Sequence, residues 1–329
     1  MPRFRLTWKQ CLRWLLPLLI LGVVLINVLA WHHAGAMMFY AEEGERTRPP
    51  EQMGFFQKLG VLLTGVKVPR PESELGPESL HQEARELFFD HEQGIRLCAW
   101  LQDADEQAPL VLMFHGYGAE KTALLREAHA WLDLKVSVLL VDFRGSGGSS
   151  ESYTSLGIDE AEDVALIYHW ARSHYPQRQI LLHGTSMGAA AILKAVAEEG
   201  LDADALILEL VFDTMPNTVA NRFRSMGLPA FPGTQLLLAW GSLRMGRNAF
   251  AHQPMKDAES VHIPSLFFQG EFDPRATLED GKRVYNAVPG EKEFVIAADA
   301  RHQSILALHP ELWNNSIQDL LRRLPASRP

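Results

Sequence analysis

Cysteine is scarce in this 329-residue chain: only Cys11 and Cys98 occur. Two cysteines make no disulfide framework, and their spacing fits no metal motif, so neither a disulfide nor a metal site is expected. Excess positive charge is also missing. The formal net charge is −9, which argues against a general nucleic-acid partner. No internal repeat or low-complexity block is present, and no organic cofactor is implied.

Charge of either sign is absent from Trp14 to Trp31, a run of 18 residues preceded by Arg3, Arg5, Lys9 and Arg13. At 1.5 Å per residue, such a helix is close to the roughly 30 Å of a bilayer core. Basic residues on its amino side favour a cytoplasmic N-terminus and place the remainder outside. A cleaved signal peptide is the competing reading, with Ala34-Gly35-Ala36 as its cleavage site. A buried or interfacial helix is a third. The run is longer than a usual signal core and neutral residues continue to Ala41, which favours an uncleaved anchor over residues 1–36. Cys11 has no lipobox-like context. The expected location is the cytoplasmic (inner) membrane, single-pass, with the folded part periplasmic or otherwise extracytoplasmic.

Residues 37–85 read as a linker and pre-domain segment, punctuated by Pro49-Pro50, Pro69-Arg70-Pro71 and Gly76-Pro77. Within it, Phe55 to Leu63 is a short amphipathic piece. Few lysines lie on its polar face, so packing on the domain is preferred over a membrane-surface role.

From residue 86 to 329, apolar runs alternate with helical patterns. Leu87–Asp90 and Ile95–Trp100 flank a Gln93-Gly94 turn, a hairpin signal. Strands follow at Leu110–Phe114, Val136–Val141, Ile180–Leu182, Ala205–Leu210, Ser265–Phe268 and Phe294–Ala297. Helices are expected over Glu120–Trp131, Ile158–Ser173, Thr277–Ala287 and Glu311–Leu324. This alternation predicts an α/β fold with a mostly parallel sheet covered by helices. Residues 212–256 carry no strand signal and read as an inserted cap with a net charge of +4.

Gly184-Thr185-Ser186-Met187-Gly188 has the G-x-S-x-G pattern of a nucleophile elbow, set between a strand and a helix. A strand running directly into a helix lifts the serine hydroxyl clear of the sheet. Flanking glycines avoid clashes with neighbouring backbone. Such a serine needs a base and an orienting acid, found after it in the order acid, then histidine. Asp273, beyond the strand Ser265–Phe268, is the candidate acid, and His302, beyond the last strand, the candidate base. Asp213 is the alternative acid; Glu271 and Asp299 read as solvated loop charges. The helix's first N–H, on Met187, and that of Tyr117 in His115-Gly116-Tyr117-Gly118 are the candidate oxyanion donors. His115 itself reads as structural. Asp142–Ser149 has several glycines but lacks the lysine of a phosphate loop.

His115-Gly116, the Asp142-x-Arg144-Gly145-x-Gly147-x-Ser149 loop, Gly184-x-Ser186-x-Gly188, Asp273 and His302, in this order, resemble the α/β-hydrolase superfamily. The match covers about residues 86 to 324. Within it, the chain is similar to bacterial membrane-anchored serine hydrolases of lysophospholipase-like or prolyl-aminopeptidase-like type. The resemblance implies an eight-stranded sheet, a Ser186–His302–Asp273 triad, an acyl-enzyme and a structural role for the Asp142 loop. Relatives often carry glycine before the histidine, whereas Ala300-Arg301 stand here. The expected activity is hydrolysis of carboxylic esters, including lipid-derived esters such as lysophospholipid or monoacylglycerol. The alternatives are an aminopeptidase-like amide hydrolase and a non-catalytic membrane-tethered binding module. In the cap, Phe223, Phe231, Trp240, Arg222 and Arg224 are candidates for substrate contact, alongside the reading that the apolar residues simply pack the cap and the arginines are solvated.

Overall fold

The structure is a computed structural model that describes residues 8–91 and 94–325, with side chains omitted for residues 8–14 and Glu51. The basic side chains before the apolar run, that of Cys11, and Gln93 of the expected turn lie outside the described part.

The chain opens with α1 (Trp8–Met38) and α2 (Phe55–Thr64). The strands follow as β1 (Arg85–Asp90), β2 (Arg96–Gln102), β3 (Leu110–Phe114) and β4 (Ser137–Val141), with α3 (Leu125–Asp133) before β4. Next come α4 (Glu160–His174), β5 (Ile180–Thr185), α5 (Met187–Glu199) and β6 (Ala205–Glu209). Three helices, α6 (Met215–Met226), α7 (Gly233–Met245) and α8 (Pro254–Asp257), separate β6 from β7 (Ser265–Gly270). The chain ends with α9 (Leu278–Ala287), β8 (Lys292–Ala297), α10 (Ile305–Leu308) and α11 (Pro310–Arg323).

The strands form one sheet in the order β1-β2-β4-β3-β5-β6-β7-β8. Only β2 runs against its neighbours. This is the mostly parallel sheet of the α/β-hydrolase fold. Burial on both faces explains the unbroken apolar runs of the central strands. In β3, Leu110, Leu112 and Phe114 join one core cluster, while Val111 and Met113 join the cluster on the opposite face. That is the period-2 alternation of a pleated strand. The first cluster packs under α4, α5 and α9, and the second under α3, α10 and α11.

The expected helix from Glu120 divides into a 3-10 turn over Lys121–Leu124 and then α3, because Glu120 caps the turn through the Thr122 N–H. The cap is built of α6 and α7, which pack on each other, and α7 also packs on α1. Trp31 meets Trp240 edge-on at 5.3 Å, and the Trp240 indole donates to Asn27 at 3.2 Å.

Leu15–Met38 of α1 is an apolar stretch of 24 residues with mean hydropathy 2.2, long and apolar enough to cross a membrane. Its large side chains from Leu15 to Val28 are mostly exposed, whereas Ala30, Ala34 and Met38 are buried against the domain. Such a helix is consistent with a single-pass anchor or a signal sequence. Residues 37–85 are tied down rather than loose. Tyr40 N–H donates to Ser152 O at 3.0 Å, and Arg70 donates to Gly147 O and Ser149 O. In α2 no residue is fully buried. It leans on α1, where His32 and His33 bond to the Thr64 and Leu62 carbonyls, and it exposes Phe55, Phe56, Leu59 and Leu63 outward.

Candidate active site

β5 runs directly into α5, with Ser186 between them. Ser186 has φ 55° and ψ −108°, a backbone state that costs an L-residue about 1–3 kcal/mol and persists only where surroundings impose it. Two features impose it. The Ser186 N–H donates to Glu209 O at 2.7 Å, and the flanking glycines let backbones cross. A Cβ on Gly184 would sit 2.5 Å from the Gly188 carbonyl carbon, and one on Gly188 would strike the Phe114 carbonyl.

Asp273 lies just past β7, and His302 past β8. The His302 Nδ1–H donates to Asp273 Oδ2 at 2.7 Å. The other carboxylate oxygen accepts the Arg275 and Ala276 N–H groups at 2.8 and 3.1 Å. The Asp273 side chain is fully buried, and that of His302 is 16% exposed. A carboxylate fixed at both oxygens holds the ring in one orientation and fixes its proton on Nδ1, which leaves Nε2 as the basic nitrogen. Ser186, Met187, Tyr117 and His302 line one cavity of about 40 Å³.

Asp213 is engaged elsewhere. Its Oδ2 accepts from Asn217 at 2.7 Å and from Arg283 at 2.8 Å, and Oδ1 caps Thr214 N–H. Glu271, Asp299 and Arg301 are exposed.

Met187 is the first residue of α5, so its N–H has no partner within the helix. Tyr117 stands three residues past β3. Gly116 brings that loop against the elbow, since a Cβ there would lie 3.6 Å from Ser186 Cβ. Burial pushes the Tyr117 phenol upward, while nearby Arg222 and Arg46 pull it down. Its hydroxyl donates to Met37 O at 2.7 Å, and Arg46 donates to Gly118 O at 2.6 Å. The loop is therefore held from both sides by the segment that precedes the domain.

His115 is structural. Its Nε2 accepts the Phe143 N–H at 3.2 Å, so Nδ1 carries the proton and donates to Gly116 O at 2.9 Å. Burial holds its pKa below the ordinary histidine value, which keeps it neutral. The Asp142 loop is likewise a brace. The buried Asp142 carboxylate accepts Lys121 N–H, Lys121 Nζ and Gly148 N–H, and Arg144 pairs with Asp163 at 2.6 Å.

A second cavity, of about 440 Å³, lies under the cap. Met37, Tyr117, Val219, Arg222 and Arg275 line both cavities. Of the cap candidates, Phe223 and Arg222 reach the larger one, and Arg222 also stacks over the Tyr117 ring at 5.4 Å. The others sit elsewhere. Arg224 bonds Asn221, Phe231 is 73% exposed, and Trp240 packs on α1. Arg247 pairs with Asp159, and Arg244 covers Trp31 at 4.3 Å. Arg275 and Met37 were not legible as site residues. One is two positions past Asp273 with no motif of its own, and the other lies in the apolar helix. Among the described residues no group of acids, histidines and cysteines fits a metal ion.

The serine aminopeptidase S33 family matches residues 105–211. The uncharacterized protein YqkD of Bacillus subtilis is 27% identical over 214 residues, which is 64% of this chain and 70% of the relative. Dipeptidyl aminopeptidase BIII of Pseudoxanthomonas mexicana is 26% identical over 60% of this chain but only 31% of its own length. The esterase Pf2001 of Pyrococcus furiosus superposes with a TM-score of 0.63 at 21% identity, covering 78% of this chain and 98% of its own. With the strand order and the elbow, these likenesses show that the chain has the α/β-hydrolase fold.

Proposed function

We propose that the protein is a membrane-anchored serine hydrolase that cleaves carboxylic esters through an acyl-enzyme. Ser186 Oγ attacks the carbonyl and His302 Nε2 takes its proton. Asp273 holds the imidazole and stabilises its charged form, and the N–H groups of Tyr117 and Met187 receive the oxyanion. The protonated histidine then gives its proton to the departing alcohol, and water repeats the sequence to release the acid. The observation that carries this reading is the 2.7 Å bond from His302 to a buried Asp273, with His302 and Ser186 on one small cavity.

Ester rather than aminopeptidase chemistry is favoured by the lining. An aminopeptidase must hold a substrate ammonium group. Among the described residues, the two cavities carry Arg46, Arg48, Arg222 and Arg275 and no carboxylate. A lipid-derived ester is the substrate class that suits apolar walls and an anchored enzyme. The test is a fluorophosphonate probe with p-nitrophenyl esters and aminoacyl anilides as substrates. The wild type should be labelled and should turn over the esters, and Ser186→Ala should do neither. Unlabelled wild-type protein, or turnover of anilides alone, would overturn the proposal. A C-terminal reporter that fluoresces only in the cytoplasm should stay dark, as the proposed outside placement requires.

A further inference from the structure

The larger cavity is walled not only by the cap but by the helix that carries the apolar span. Ile26, Leu29 and Ala30 of α1 line it, and all three lie within the uncharged run Trp14–Trp31. Met37, about 16 Å further along the same helix at 1.5 Å per residue, lines both this cavity and the one that holds Ser186 and His302. The larger cavity thus begins at the depth of the apolar run and shares Met37, Tyr117, Val219, Arg222 and Arg275 with the smaller cavity that holds the nucleophile. The lining also includes Val61 and Leu62 of α2, which carries the exposed Phe55, Phe56, Leu59 and Leu63. A short helix with large apolar side chains turned outward, beside a spanning helix, suits the interfacial layer of a bilayer. The lining is mostly aliphatic; of its four arginines, Arg46 and Arg48 line the larger cavity alone, and Arg222 and Arg275 also line the one that holds Ser186. The volume, about 440 Å³, lies in the range of small-molecule sites, about 300–1,000 Å³.

We propose that α1 is a wall of the substrate site, and that the long acyl chain of a membrane lipid ester enters laterally from the bilayer between α1, α2 and the cap to bring its carbonyl to Ser186. This rests on the ester-hydrolase reading above. Each methylene that moves from the bilayer onto the aliphatic part of this lining stays in apolar surroundings, which lowers the cost of bringing the chain to the serine. In the reaction, the Ser186 Oγ–acyl bond forms as the ester C–O bond breaks, the alcohol leaves with the proton from His302, and water later releases the fatty acid.

The test uses full-length protein in lipid nanodiscs and a palmitoyl-length fluorophosphonate with a diazirine near the chain end. After reaction at Ser186 and illumination, crosslinks are expected on Ile26, Leu29, Ala30, Val61 or Leu62. Labelled Ser186 with crosslinks only outside these elements would overturn the lateral route and leave the hydrolase reading standing. No labelling at Ser186 would remove both. As a second measurement, Ala30→Trp and Val66→Trp fill the cavity from two elements, one from α1 and one from the loop after α2. The ratio of kcat/KM for p-nitrophenyl palmitate to that for the butyrate should fall at least tenfold in each. A ratio within twofold of wild type in both variants, with unchanged thermal unfolding, would also overturn it.

Discussion

The Tyr117 hydroxyl donates a 2.7 Å hydrogen bond to the Met37 carbonyl, joining the loop beside Ser186 to the last turn of α1. The two residues are 80 positions apart, yet both line the small cavity at the nucleophile. The backbone N–H proposed to receive the oxyanion therefore depends on where α1 ends.

This coupling predicts the effect of Tyr117→Phe, which removes the hydroxyl and keeps the ring. One such bond is worth about 0.5–1.5 kcal/mol net. If it positions the loop, kcat on a short ester should fall by about two- to tenfold with a smaller change in KM, because the oxyanion forms only in the transition state. A rise in KM with unchanged kcat would assign the hydroxyl to substrate binding instead. Thermal unfolding in parallel separates a positioning effect from a loss of fold.

The two candidate acids are separable by the same means. Asp273→Asn keeps the shape but disturbs the bond that fixes the His302 tautomer, and by analogy with other triads kcat should drop by about 10⁴-fold. Asp213→Asn weakens a contact to Arg283 and none to the imidazole, so it should lower the unfolding midpoint with much less effect on kcat. A larger loss of kcat in Asp213→Asn than in Asp273→Asn would reverse the assignment.

The elements of the sheet were legible because each depends on local pattern. Leu110–Phe114 is apolar on both faces, and Gly184 and Gly188 bracket Ser186 for steric reasons that hold wherever a strand meets a helix. The order of Ser186, Asp273 and His302 was expected from the elbow pattern rather than from the sheet, and the structure joins His302 to Asp273. The cap was legible as an insertion but not as a surface. Whether Arg222 or Arg224 faces the cavity depends on helix phase and on what covers the helix. The elements that cover α6 include α7 and the 3-10 turn Pro50–Gln52, the latter some 170 residues away in the chain. Arg244 shows the same limit: it looks like a free cap charge in the sequence, yet in the structure it stacks on Trp31 and Phe39. Nothing in Phe55–Thr64 announces that its inner face would wall a cavity.

Cys98 offers a check on burial. It is 1% exposed, and burial pushes its thiol up to about 12, with Lys121 acting in the opposite sense. Alkylation requires the thiolate. In a Cys11→Ser background, native protein at pH 8 should resist iodoacetamide, and denatured protein should react fully. Rapid labelling of the native form would show that the loop over Cys98 opens readily.

A buried cluster of titratable groups includes Glu209, whose backbone carbonyl accepts the Ser186 N–H. Glu209 accepts the Trp313 indole at 2.7 Å and His183 Nε2 at 3.2 Å, while the Trp131 indole donates to His183 Nδ1 at 3.1 Å. His183 thus carries its proton on Nε2, and Glu209 receives two donors as a carboxylate. Glu127 sits in the same buried cluster, takes a hydrogen bond from Ser304, and has no partner on Oε2 among the described residues. Burial, and after it the charge of Glu209, raise the Glu127 pKa above the ordinary 4.5. A carboxyl whose folded pKa is raised gives its full stabilisation below the unfolded value and loses it as pH climbs through the folded one. Glu127→Gln keeps an acceptor for Ser304 and cannot ionise. The variant should therefore gain stability relative to wild type as pH rises above about 4.5, and the gap should be smallest in acid. Denaturant midpoints of both proteins from pH 4 to pH 8 measure this difference while cancelling the titrations they share. A gap that stays constant with pH, or one in which wild type gains on the variant toward alkaline pH, would show that Glu127 is ionised in the folded protein.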